Sequence, residues 1–127
     1  MPSMPLFFST AWTLRDSFLE QSTRGKDYIA YYYMLGTIVD LYQPSDSGLV
    51  SQLLFEIQAA MDVVLTGQDQ DIVLPQATAA SAITFINTLR GRTSNRIVLG
   101  ALSVAESDVM LYTDMPRTDF LALFNAE

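Results

Sequence analysis

The stretch SDSGLVSQLLFEIQAAMDVVLTG, residues 45–67, carries the clearest structural signal in the chain. At about 100° per residue, Leu49, Val50, Leu53, Leu54, Ile57, Ala60, Met61, Val64 and Leu65 fall in one arc. Ser51, Gln52, Glu56, Gln58 and Asp62 occupy the other side. Ser45 or Ser47 serves as the cap, Asp46 lies near the positive end of the helix dipole, and Gly67 stands just past the last turn. This is an amphipathic helix with a wide apolar face, so a partner helix must cover it. Phe55 and Val63 interrupt the polar side, and large apolar groups there are candidates for contact with another chain.

The preceding segment, DYIAYYYMLG at 27–36, is more apolar still. Asp27 caps a helix that runs to about Tyr42, where Pro44 stops it. Tyr28, Tyr31, Tyr32, Leu35, Ile38, Val39 and Tyr42 share half of the wheel, extended by Met34 and Leu41. A helix apolar around most of its circumference is a central rod or half of an interface. Tyrosine suits both places, because its ring can be buried while its hydroxyl meets the wet edge. Tyr33, beside Thr37 and Asp40 on the narrow polar strip, is the preferred anchor for a partner. A small-molecule pocket walled by these tyrosines is the sharper and weaker reading.

Outward from this pair, the remaining elements also read as helices. Residues 11–21 carry Trp12, Leu14, Phe18 and Leu19 behind a Ser9 or Thr10 cap, and TRGKD at 23–27 breaks the element. Pro75 opens a fourth helix that ends at Arg90 and Gly91, rich in alanines that let a neighbour come close. Residues 95–113 are ambiguous. Ser94 can cap a helix from 95 to about 107, whereas RIVLGALSV and DVMLYT around AES would make a β-hairpin. The helical company of the segment favours helix. A last short helix, RTDFLALF, follows Pro116. The expected fold is therefore all-α, a single domain over 1–127 built as a bundle of five or six helices. Its second and third helices form a central antiparallel pair.

Composition narrows the function. The 127 residues include no cysteine and no histidine. Disulfides, thiolate and imidazole catalysis, and Cys- or His-ligated zinc are excluded, along with Glu-x-x-His iron sites. No nucleophile elbow, dinucleotide fingerprint or P-loop is present. No catalytic residue, metal ligand or cofactor is assigned, and the chain is read as a non-enzyme. Asp69 and Asp71 in GQDQD alternate as calcium ligands do, but the glycine and terminal glutamate of an EF-hand loop are missing. An acidic hydrated loop is the simpler reading.

Apolar residues reach 50% while charged residues make up only 17%, below the usual quarter. Few charges on a small domain point to a surface that docks, since buried interface centres are poor in charge. From 27 to 89 there are seven acids and no Lys or Arg, and then RGRTSNR places Arg90, Arg92 and Arg96 within one turn region. These guanidiniums could hold an anion, but the net charge of −7 argues against nucleic acid. Pairing with carboxylates of a neighbouring copy or partner fits arginine better. MPSMPLFFST at the start lacks the basic and apolar regions of a signal peptide. No stretch of about 18 clearly apolar residues is expected to span a membrane. A soluble, cytoplasmic protein is expected.

The functional expectation is a protein–protein interaction or assembly subunit, docking with itself or a fixed partner through apolar and aromatic helix faces. Tyr33, Phe55, Val63, Arg90, Arg92 and Arg96 are its candidate contact residues. The alternative is an acidic helical regulator, of the inhibitor, immunity or adaptor type, that occupies a basic site on another protein. A small-molecule binder comes third.

Overall fold

The computed structural model of the chain describes residues 4–32 and 40–125. It is an all-α bundle: α1 (Met4–Ser17), α2 (Thr23–Tyr32), α3 (Ser47–Thr66), α4 (Gln76–Arg90), α5 (Arg96–Tyr112) and α6 (Arg117–Asn125). Short 3-10 turns at Leu19–Gln21 and Pro44–Asp46 precede α2 and α3. Among the described residues there is no strand, only isolated bridges between Ile72 and Pro116 and between Leu74 and Thr113.

Helix α1 begins well upstream of the expected start at residue 11. Ser9 and Thr10 do not cap it but lie inside it. The Thr10 hydroxyl donates to the Leu6 carbonyl at 2.9 Å, Thr13 to Ser9 at 3.0 Å and Ser17 to Thr13 at 2.6 Å. Hydroxyls that bond back to the fourth preceding carbonyl satisfy themselves without leaving the helix. Pro5 sits in the first turn, where a missing N–H leaves nothing unpaired.

TRGKD is likewise not a break. It forms the opening of α2, and the cap is Ser22, whose Oγ accepts from the Gly25 N–H at 3.0 Å. Gly25 is needed for closeness rather than for a turn. A Cβ there would lie 2.0 Å from the Leu19 carbonyl oxygen, so only glycine lets α2 start against the preceding 3-10 turn. Tyr33 and most of the aromatic wheel around it fall on or beside 33–39, outside the described residues, but the helix does not run on to Tyr42: residues 40–43 form a turn and Tyr42 is exposed.

Helix α3 packs against α1 and α4. Its buried side chains are Leu53, Gln58, Met61 and Val64. Ile57, placed on the apolar arc, is exposed, while Gln58, placed on the polar side, is only 7% exposed. The cause is α1: the Gln58 amide donates to the Thr10 hydroxyl at 2.8 Å and to Asp62 at 3.2 Å, which draws that side inward. With its leading turn, the stretch Pro44–Thr66 has a mean hydropathy of 1.4 over an 18-residue window and, by length and composition alone, could cross a membrane. This corrects the expectation that no segment has that character. In the fold, 22% of that window is buried.

Residues 95–113 are helical, not a hairpin, and the helix continues to Tyr112 rather than ending near 107. Its cap is Asn95, not Ser94: the Asn95 side-chain oxygen accepts from Ile97 N–H at 2.9 Å and Val98 N–H at 3.2 Å. Pro75 stands at the cap of α4, one position before its first helical residue. The acidic loop after α3 is a lacing segment. Arg117 and Thr118 donate their amides to the carbonyls of Asp71 and Asp69, and Val73 donates to Met115. The Asp71 carboxylate accepts from the Gln68 amide at 2.8 Å. Among the described residues no three acids gather as a metal site would require.

Buried apolar side chains form two clusters. Val64, Val73, Tyr112, Phe120 and Phe124 make one, with Leu14 and Phe18 packed on it. Phe124 lies 4.9 Å from Phe18 and 4.8 Å from Phe120 between ring centres, within the range where aromatic pairs attract. Ile86, Leu89, Val98 and Leu102 make the second, between α4 and α5.

Candidate interaction surface

The three arginines of RGRTSNR do not act as one group. Arg90, at the end of α4, donates to Asn87 at 2.6 Å and to Glu106 on α5 at 2.8 Å. Arg92 forks onto Asp46, with contacts of 2.5 and 3.0 Å, and donates to the Leu41 carbonyl at 3.0 Å. Asp46 is buried, and a planar, two-pronged donor is what a buried carboxylate needs. The hydrogen bonds from Arg92 and from the Gln43 amide hold its carboxyl below the usual aspartate range, against the opposing effect of burial. The Arg92 guanidinium is raised in turn, chiefly by its hydrogen bond to Asp46. Arg96, the first residue of α5, is exposed and makes no ion pair among the described residues. The partner roles expected of the arginines therefore divide. Two hold the fold together, and one faces solvent.

Phe55 is 59% exposed on α3, as its place on the polar side implies. Val63 is half-buried and packs on the first aromatic cluster, so it supports the fold as well as the surface. The two share a groove of about 180 Å³. Ile72 and Pro75 form its other wall, and Glu56 and Thr78 also line it. One oxygen of Glu56 accepts from Gln52 at 3.1 Å. The other is shielded from solvent and has no hydrogen-bond donor.

Among the described residues, the two most exposed large apolar side chains lie on α5, outside the expected contact residues. On α5, Val98 and Leu102 face the core, while Ile97 is 72% and Met110 69% exposed, with Val104 and Leu111 beside them. Between these lie exposed Gly100, Ser103 and Ser107. Positions 97, 100, 104, 107 and 111 repeat at three and four residues, alternating large and small groups along one stripe. The available signal was that α5 is apolar on two opposite faces, more than one neighbour can cover. The choice between helix and hairpin hid it.

No protein family, curated protein or solved structure matches the chain.

Proposed function

We propose that this chain is a non-catalytic assembly subunit that docks through apolar helix faces onto further copies of itself. The observation that carries the reading is the outer stripe of α5, where Ile97, Val104 and Leu111 stand exposed opposite the packed inner face, with exposed Met110 flanking them. Large side chains separated by Gly100, Ser103 and Ser107 let a second helix approach closely and interdigitate. These four side chains are 38 to 72% exposed, so covering what remains of them yields roughly 3 to 7 kcal/mol at the usual transfer values. Association costs on the order of 4 to 15 kcal/mol. The stripe alone thus supports weak, concentration-dependent association, and firm assembly needs a second contact.

Light scattering behind a sizing column tests this directly. The mass should rise above the 14.1 kDa of one chain as concentration increases. Leu111→Lys on the stripe should return it toward one chain with little change in thermal stability. A single-chain mass at every concentration would end the proposal.

A second reading is favoured by the exposed carboxylates of Asp40, Asp62 and Asp69, which suit an acidic regulator of a basic partner. Such binding would weaken steeply with added salt, whereas apolar docking would not.

A further inference from the structure

We propose that the groove beside Phe55 is the receptor for the Arg96–Ile97 end of α5 from a second copy, so that copies join head to tail. This rests on the self-docking reading above and extends its contact at the start of α5, where Ile97 ends the stripe and Arg96 adds a charge.

The groove has apolar walls, Phe55, Val63, Ile72 and Pro75, around one carboxylate. Glu56 has a donor for one oxygen only, and its other oxygen has lost water without gaining a partner. A half-paired carboxylate on an apolar surface is relieved by a cation, and best by a guanidinium, which offers two parallel donors once the Glu56 side chain turns toward it. The chain presents the complement at the start of α5. Arg96 is exposed without a carboxylate of its own among the described residues, and Ile97 beside it is the most exposed large apolar residue described. A basic head next to a branched aliphatic side chain matches an acid next to an apolar trough.

The two ends cannot meet within one molecule. The groove opens at Pro75 and Thr78, where α4 begins, and Arg96 follows the turn beyond the other end of that helix. A helix of 15 residues is about 22 Å long, far beyond the reach of one arginine. Donor and receptor are different patches, so head-to-tail joining is either reciprocated by the same partner, which closes a two-fold pair, or passed on to a third copy, which builds a ring or filament.

Charge reversal separates this contact from any other. Glu56→Arg and Arg96→Glu should each weaken self-association at least about tenfold, as unpaired like charges do at a desolvated contact. Mixing the two variants should restore it to within about threefold of the wild type, because every groove then meets a tail of opposite charge. The double variant Glu56→Arg/Arg96→Glu should recover alone for the same reason. Arg96 is exposed and Glu56 partly so, and a helical circular dichroism spectrum with an unchanged melting midpoint checks that the variants fold. Wild-type assembly that survives both single reversals would overturn the head-to-tail contact and leave the α5 stripe as the interface. Weakening by the singles without recovery on mixing would equally overturn it. A wild-type chain that never associates would remove the underlying reading as well.

Discussion

Arg92 grips both carboxylate oxygens of Asp46 across 46 positions of sequence, at 2.5 and 3.0 Å. The pair joins the turn before α3 to the turn between α4 and α5, so it closes one end of the bundle. Neither residue was expected to do so: Asp46 reads from sequence as a dipole-facing residue of α3, and Arg92 as a surface contact.

The pair sets an acid limit on stability. Because the folded chain holds the Asp46 carboxyl below its ordinary value, its contribution is present above that ordinary value and is lost as pH falls through the folded one. Thermal midpoints followed from about pH 7 down to about pH 2 should drop most steeply below about pH 4. Asp46→Asn should flatten that limb and lower the plateau. Arg92→Lys should recover only part of what Arg92→Ala loses, since a single ammonium cannot match the fork.

Arg117 finishes α3. Its guanidinium donates to the Val63 carbonyl at 2.9 Å and to the Val64 carbonyl at 3.0 and 3.1 Å, where the helix end is negative. Arg117→Met removes the Val64 carbonyl's donor, while the Val63 carbonyl keeps the Gly67 N–H at 2.8 Å, and should cost about 2 kcal/mol, the usual value for hydrogen bonds to a charged group. Urea unfolding should show a lower midpoint with an unchanged slope.

Two glycines should respond with opposite signs. Gly25→Ala drives a methyl into the Leu19 backbone and should destabilise by more than about 2 kcal/mol. Gly100 lies in the exposed middle of α5 with open space where a Cβ would stand, so Gly100→Ala should stabilise the single chain by about 0.8 kcal/mol. Calorimetry at low protein concentration reads both.

Phe124 and Phe55 separate core from surface. Phe124 is 2% exposed and packs at a tilt against the Phe18 and Phe120 rings, so Phe124→Ala should cost about 3 to 5 kcal/mol and diminish the near-ultraviolet aromatic signal. Phe55→Ala, at an exposed site, should change unfolding by less than about 0.5 kcal/mol while weakening self-association.

The fold was legible where pattern and punctuation agreed. Gly67 ends α3, Pro75 introduces α4, Gly91 ends it, and Pro116 precedes α6. It was illegible where one residue type serves two purposes. Ser9 and Thr10 look like caps but lie inside α1, where the Thr10 hydroxyl bonds back to Leu6, and Gly25 looks like a breaker but permits a close approach. Gln58 turns inward because α1 meets it with a hydroxyl, which no wheel drawn on α3 alone can show. Phe55 was readable as an apolar residue on a polar side. The division of labour among Arg90, Arg92 and Arg96 was not, because their carboxylate partners are distant in sequence.

The two buried clusters differ in how far along the chain their members lie, and α5 belongs to both. The cluster of Ile86, Leu89, Val98 and Leu102 is drawn from neighbouring helices, while the aromatic one gathers Phe18, Val64, Tyr112 and Phe124 from remote segments. Loops that close over short distances form sooner, so the α4–α5 hairpin is the natural nucleus of folding and the aromatic cluster its late step. Slowest exchange of backbone amides for deuterium should accordingly centre on Ile86 to Leu102, with the contacts around Phe18 opening at lower free energy.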